Sequence, residues 1–366
     1  MKVAVISNTS WYIYNFRKNL IESLIKNNHI LYCFSPKDEY SNKLNILGLN
    51  HKNWYLNQIS QNILTEVFSI LHLCILVKKN KIDLILSFTP KGNLYSLISS
   101  CFSTVKVICN ISGLGEKFKN RSIFSRLLMF VLKKMSKNAH AVFFQNKEDM
   151  LFLNGPNNTN VNNHLIPGSG VDLNKFFTKG KISTSKYFFS FIGRLLKEKG
   201  VYVYIEAIKL IKKDYPHIQC SLVGFIDDKR KNSVNLKEIQ AWEEQGLISF
   251  LSSTDDVKSI LEQTESLVLP SYYNEGVPRS LLEASAMSLP IITTNHSGCR
   301  DAVDDGLTGF LCEKKNTNDL AKKMIKMIKM TPEERKTMGK LGRAKMKNEF
   351  DERIVIDQYL KVINSY

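Results

Sequence analysis

No stretch of this 366-residue chain reaches the roughly 18 to 20 uncharged apolar residues that a membrane-spanning helix needs. The apolar run at its start is too short for a secretory leader, so the chain is expected in the cytoplasm. Its seven cysteines, at positions 33, 74, 101, 109, 220, 299 and 312, form no C-x-x-C pair. That excludes a zinc framework or a dithiol redox motif and leaves small buried thiols in a reducing compartment. No fixed period recurs, which excludes solenoids and propellers. Acid is the scarce charge: 34 Asp and Glu stand against 51 Lys and Arg, a formal charge of +17 that calls for an anionic partner. Nucleotide, nucleic acid and membrane all meet that description.

The length is about twice what one core organises, which predicts two domains. Short β-branched runs alternate with longer helical patterns, as in α/β proteins with parallel sheets. Strands are expected at residues 2–7, 30–34, 83–88, 105–111 and 141–145. A Lys/Ser/Thr-rich linker follows, and the pattern restarts at 187–193, 219–224, 248–251, 266–270 and 290–293. The expected division is a Rossmann-like domain over 1–168, a linker over 169–186, a second Rossmann-like domain over 187–348 and a terminal helix over 349–366. By analogy, that helix crosses back to the first domain. In doubly wound sheets ligands sit beyond the carboxyl ends of the strands, so two such domains facing across a cleft place the chemistry in the crevice.

The sharpest local signal is P-S-Y-Y-N-E-G-V-P-R-S-L-L-E-A over 270–284. A buried strand ends, a polar loop follows, and Pro278 suits the first position of a helix because its missing N–H has no partner there anyway. Gly276 lets a ligand approach the backbone, and the free amides at the helix start form an anion site. Glu275 precedes the helix and Glu283 lies a turn and a half inside it, so the two carboxylates can bracket one ligand. A plainer reading also fits: Glu275 caps the helix and Glu283 pairs with Arg279 at the i, i+4 spacing.

A second signal is F-I-G-R-L-L-K-E-K-G over 191–200. Arg194 offers a planar fork and Lys199 a mobile point charge beside another helix start, an arrangement suited to a diphosphate. Alone, the stretch also reads as a solvated basic loop.

Taken in order, these two motifs and the D-G-L-T-G-F turn over 305–310 resemble glycosyltransferase family 4, retaining enzymes of the GT-B architecture. The likeness spans residues 187–312. It implies that Arg194 and Lys199 hold the donor diphosphate and that Glu283 accepts hydrogen bonds from the ribose hydroxyls. It also implies that Glu275 lies near the transferred sugar, with the amides of Gly276, Val277 and Pro278's neighbours on sugar and phosphate. Gly193 and Gly224 fall in the same donor site. Uracil contacts are expected around Val223, Gly224 and Asp255, although Ser252 stands where the family usually has Gly.

The first domain departs from the commoner pattern. In place of a glycine-rich loop after the first strand it has Tyr14, Asn15 and Arg17 within Y-N-F-R. This, with Asp38-Glu39-Tyr40 and Gly113-Leu114-Gly115, is similar to bacterial enzymes that extend lipid-linked oligosaccharides, N-acetylgalactosaminyltransferases among them. The resemblance implies acceptor contacts from Tyr14, Asn15, Arg17, Gly113 and Gly115; an aromatic stripe at helical spacing is more often core. Relatives often have a His near Gly113, and this chain has none there. No D-x-D is present to clamp a divalent ion on the donor diphosphate, so a metal-free reaction is expected, with no cofactor and the nucleotide sugar as substrate.

The basic excess is uneven. Residues 1–168 carry 20 Lys and Arg against 8 Asp and Glu, a net of +12, and no acid falls between Lys117 and Lys147. The helical pattern over 123–137 sets apolar residues on one stripe and Arg126, Lys133 and Lys137 elsewhere, and Lys134 adds a fourth positive charge to the expected membrane contact. Such a helix either lies on anionic lipid or packs on the core with a solvated basic back. Residues 63–79 admit the same two readings.

The function expected is transfer of a hexose or N-acetylhexosamine from a UDP-sugar to a polyprenyl-diphosphate-linked glycan, in bacterial surface polysaccharide or oligosaccharide synthesis. The enzyme would sit at the inner face of the membrane, in peripheral contact with anionic lipid. A sugar-nucleotide epimerase on the same fold is an alternative, since fold does not fix function. A nucleic-acid-binding module is the third reading; it lacks interleaved aromatic and basic positions or a reading helix, and no nucleic-acid partner is expected.

Overall fold

The computed structural model describes every residue except 58–61, 114–129, 135, 156–161, 179–185, 228–229, 231, 275 and 366. The chain divides into two compact units, Met1–Ser169 with Val355–Tyr366, and Gly170–Ile354.

The first unit is built on a seven-stranded parallel sheet. Its strands are β1 (Lys2–Ile6), β2 (Ile30–Ser35), β3 (Asn50–Asn53), β4 (Leu84–Ser87), β5 (Lys106–Ile111), β6 (Ala141–Phe144) and β7 (Asn163–Leu165), in the order β3-β2-β1-β4-β5-β6-β7. Val3 is opposite both Leu31 and Leu84, so β1 is central and covered on both faces, which is why it reads as a continuous apolar run. Helices α1 (Ser10–Lys26), α2 (Tyr40–Ile46), α3 (Ile63–Asn80), α4 (Pro90–Ser100) and α5 (Lys147–Asn154) connect these strands. The Trp54 indole donates to the Ser69 carbonyl at 2.9 Å and pins the chain after β3 to the inner face of α3. Strand β3, Asn-His-Lys-Asn, has no apolar residue to announce it. It is an edge strand, where polar side chains protect the open edge.

The second unit holds β8 (Tyr187–Ile192), α6 (Val201–Ile211), β9 (Cys220–Val223), α7 (Leu236–Glu244), β10 (Ser249–Leu251), α8 (Val257–Glu262), β11 (Thr264–Leu269), α9 (Arg279–Ala286), β12 (Ile291–Thr294), β13 (Gly309–Cys312), α10 (Thr317–Lys329) and α11 (Pro332–Glu349). Its parallel sheet runs β10-β9-β8-β11-β12-β13. Counted from its own first strand, this is the 3-2-1-4-5-6 order of dinucleotide-binding sheets, whose switch point falls between the first and fourth strands, here β8 and β11. Beneath them Ser221 Oγ donates to Ser190 Oγ, which meets Thr264 Oγ1, both at 2.7 Å, so these buried hydroxyls satisfy one another. The last helix, α12 (Glu352–Asn364), belongs to the first unit from Val355 onward.

Five of the seven cysteines are buried, and burial pushes the thiols of Cys33, Cys109, Cys220 and Cys312 up to about 12. Cys74 is half-buried and Cys101 is exposed, contrary to the expectation that all are buried, because Cys101 caps the solvent end of α4.

Candidate active site

The two motifs of the second half follow the two strands that flank the switch point. After β8 the chain runs through Gly193 and Arg194 into a single 3-10 turn, Lys197–Lys199, before Gly200 opens α6. Gly200 has φ +85°, and a Cβ there would lie 2.1 Å from the Pro270 carbonyl oxygen. The loop is therefore pressed against the end of β11, where Tyr272 N donates to the Glu198 carbonyl at 2.9 Å. This apposition brings the two cations together. Arg194 Cζ lies 5.6 Å, and Lys199 Nζ 5.9 Å, from the centroid of the Tyr273 ring, within the range of cation–aromatic attraction. Lys199 is buried, which narrows its rotamers and fixes where its charge points.

From Tyr273 the chain passes Gly276 and Val277 into α9. Pro278 is the N-cap rather than the first helical residue: its ψ of 125° is extended, Arg279 starts the helix, and the Pro278 carbonyl accepts from Leu281 N at 3.1 Å. The difference is one residue, and the first amides of α9 still have no intrahelical acceptor. Arg279 Nε donates to Glu283 Oε1 at 2.8 Å, so the i, i+4 pair foreseen as the plainer reading is formed. Burial raises the Glu283 pKa, while Arg279 and Lys175 draw it back down. Glu275 lies outside the described residues.

Gly193 and Gly224 touch: a Cβ on Gly224 would come within 1.9 Å of the Gly193 carbonyl oxygen. Close backbone packing beyond β8 and β9 therefore accounts for Gly224. Val223 ends β9 in the core, and Asp255 lies in the loop after β10. The turn over 305–310 shapes the entry to β13. Leu311 N donates to Asp305 Oδ1 at 2.8 Å and Asp304 N to Thr308 Oγ1 at 2.9 Å. Tyr273 is the residue that sequence reasoning missed; its only signal is an aromatic within the 270–284 motif.

In the first unit, Arg17 lies on α1 and is almost wholly buried. Its Nη2 donates to the Tyr12 hydroxyl at 3.2 Å and its guanidinium lies 4.4 Å from the Phe88 centroid, while Nε has no partner among the described residues. Tyr14 is half-buried with its ring 5.6 Å from Tyr40, and Asn15 Nδ2 donates to the Trp11 carbonyl. The start of α1 is satisfied from within the chain, since Asp38 Oδ2 accepts from Ser10 N at 2.8 Å and Trp11 N at 3.2 Å. Gly113 follows β5 with φ +134°, and Gly115 lies outside the described residues, as does Arg126. Lys133, Lys134 and Lys137 are exposed. Among the described residues no group of three His, Cys, Asp or Glu is placed to hold a metal, and no helix is long and apolar enough to cross a membrane.

Two parallel sheets of dinucleotide-binding order, with a pair of cations at the switch point of the second, are the architecture of the GT-B fold. Residues 172–345 match the family described as Glycosyl transferases group 1, and residues 2–146 match Glycosyl transferase 4-like. The chain belongs to this glycosyltransferase family and is a glycosyltransferase. It is 26% identical over 381 residues to the N,N'-diacetylbacillosaminyl-diphospho-undecaprenol alpha-1,3-N-acetylgalactosaminyltransferase of Campylobacter jejuni, covering 99% of this chain and 98% of that protein. With the UDP-Gal:alpha-D-GlcNAc-diphosphoundecaprenol alpha-1,3-galactosyltransferase of Escherichia coli it shares 25% identity, over 79% of this chain and 77% of the relative. The crystal structure of Anabaena HepE in complex with UDP and glucose superposes with a TM-score of 0.81 at 17% identity, over 100% of both chains, and shares the fold.

Proposed function

We propose that the chain transfers a hexose or N-acetylhexosamine, with retention at the anomeric carbon, from a UDP-sugar to a glycan carried on a polyprenyl diphosphate. The product would enter a bacterial surface polysaccharide or oligosaccharide. The observation that carries this reading is the convergence of Arg194 and Lys199 on Tyr273, in the loop that leads into α9. Two cations and a helix start suit a diphosphate leaving group, whose negative charge grows as the glycosidic bond breaks. They can do so without a divalent ion. Glu283 would accept from the ribose hydroxyls, and Glu275 would lie beside the sugar. The names of the relatives, which act on diphospho-undecaprenol-linked sugars, support the acceptor class.

Tyr14, Asn15, Arg17, Gly113 and Gly115 of the first unit would meet that acceptor at the inner face of the cytoplasmic membrane. Arg126, Lys133, Lys134 and Lys137 would add electrostatic attraction to anionic lipid, about 1 kcal/mol each near the surface. Incubation with a panel of UDP-sugars and polyprenyl-diphosphate-linked acceptors, followed by mass spectrometry, tests the reading. One sugar added to the lipid-linked glycan supports it; donor consumed without any acceptor, as by an epimerase, overturns it.

A further inference from the structure

Helix α3 is apolar on both sides. Its inner face buries Ser69, Leu73, Leu76 and Val77. Its outer face carries Leu64, Val67, Phe68, Leu71 and Ile75 at the spacing of one helical stripe, and each is between 47% and 78% exposed. Tyr55 joins them, its ring edge-on to Phe68 at 5.0 Å. From Leu64 to Ile75 the stripe is about 17 Å long.

A surface helix ordinarily turns polar side chains to water, and isolated exposed leucines need no explanation, but a continuous stripe does. Two details identify what covers it. The one acid of α3, Glu66, is neutralised by Lys91 at 2.7 Å, so no free negative charge interrupts the face. At the far end the stripe runs into Lys78, Lys79 and Lys81, all exposed. Apolar side chains flanked by lysines, on a half of the chain with a net charge of +12, match the interface of an anionic bilayer. A second copy of the chain would cover the apolar stripe and leave the lysines facing like charge.

We propose that the outer face of α3 seats in the headgroup region of an anionic phospholipid membrane. The proposal deepens the reading of a lipid-linked acceptor and rests on it for its purpose, but its test needs no substrate. The full chain is floated with vesicles of phosphatidylglycerol and phosphatidylcholine, and with phosphatidylcholine alone. The parent is expected to float with the anionic vesicles. The triple variant Leu64→Ser, Phe68→Ser, Leu71→Ser should lose about tenfold or more in partition, because each side chain surrenders a substantial part of its transfer free energy. Should the triple variant misfold by circular dichroism, Leu71→Ser alone is expected to lower partition severalfold.

Transfer to a lipid-linked acceptor in those vesicles should fall in step, while a short water-soluble acceptor is glycosylated as before. Absence of flotation in the parent, or undiminished flotation of the variants, overturns the proposal. So does a parent dimer that the substitutions dissociate, since the face is then covered by a second copy. If the protein floats as expected but uses no lipid-linked acceptor, the proposed function fails and the membrane face stands.

Discussion

Arg279 and Glu283 form a hydrogen-bonded ion pair one helical turn apart at the start of α9, Nε to Oε1 at 2.8 Å, with both side chains mostly shielded from water. The pair holds Glu283 in one orientation. Glu283→Ala is expected to weaken UDP-sugar binding by roughly 1.5 to 3 kcal/mol, the loss of hydrogen bonds to a charged acceptor. Donor KM and isothermal titration with UDP check this; unchanged values exclude Glu283 from the donor site.

The same glutamate makes stability depend on pH. Burial raises its folded-state pKa, so between the unfolded and folded values the folded protein holds a proton that the unfolded chain has released. That contribution favours folding fully below the unfolded pKa and fades as pH rises through the folded one. Glu283→Gln should therefore melt above the parent near pH 7 and converge with it by about pH 4. Thermal midpoints across that range decide the matter, and a gap that widens toward acid contradicts the sign.

Arg194→Ala and Lys199→Ala are expected to lower kcat by about tenfold or more as well as raising donor KM, because the charge they oppose is larger in the transition state than in bound substrate. Full turnover at saturating donor would limit them to binding. Chelation with EDTA should leave the parent's rate nearly intact; loss of activity restored by Mn²⁺ would falsify the metal-free assignment.

Gly200→Ala should lower the thermal midpoint by several degrees and kcat with it. The residue sits at φ +85°, and an added methyl would meet the Pro270 carbonyl. The strain costs about 1 to 3 kcal/mol and is relieved only by moving the loop that carries Arg194 and Lys199 away from Tyr273. A stable variant with normal kcat would show that this apposition is dispensable.

Arg17→Met separates two roles that one buried guanidinium can have. Its positive charge lies among Tyr12 and Phe88 with no carboxylate paired to it among the described residues. Replacement by an apolar side chain of similar volume is expected to leave the thermal midpoint unchanged or higher. At the same time, kcat/KM for the lipid-linked acceptor should drop by about tenfold, with donor KM unaltered. Full activity would make Arg17 a core residue only.

Most strands of both sheets were legible in the sequence because the central ones are buried on two faces and read as β-branched runs between turn residues, as residues 2–6 and 187–192 do; β7, a three-residue edge strand, escaped. β3 escaped because an edge strand needs no apolar face. β13 escaped because Gly309 and Phe310 belong to a motif that reads as a turn. In the candidate site, Arg194, Lys199 and Glu283 were visible as charges in a spaced pattern. Tyr273 was not, since its position depends on Gly200 pressing one loop onto another, a contact between residues some 70 positions apart. The burial of Arg17 was equally hidden: its phenylalanine neighbour arrives from the end of β4.

Tyr359 of α12 is fully buried in the first unit, its hydroxyl accepting from Asn110 Nδ2 at 2.7 Å and its ring 4.2 Å from Phe143. Val355 and Ile363 complete that core. Because these residues are translated after the whole of Gly170–Ile354, the second unit is in effect inserted into the first. On the ribosome, the later unit can close its core while the earlier one still waits for its last helix, so completion of the first unit depends on residues made after the second.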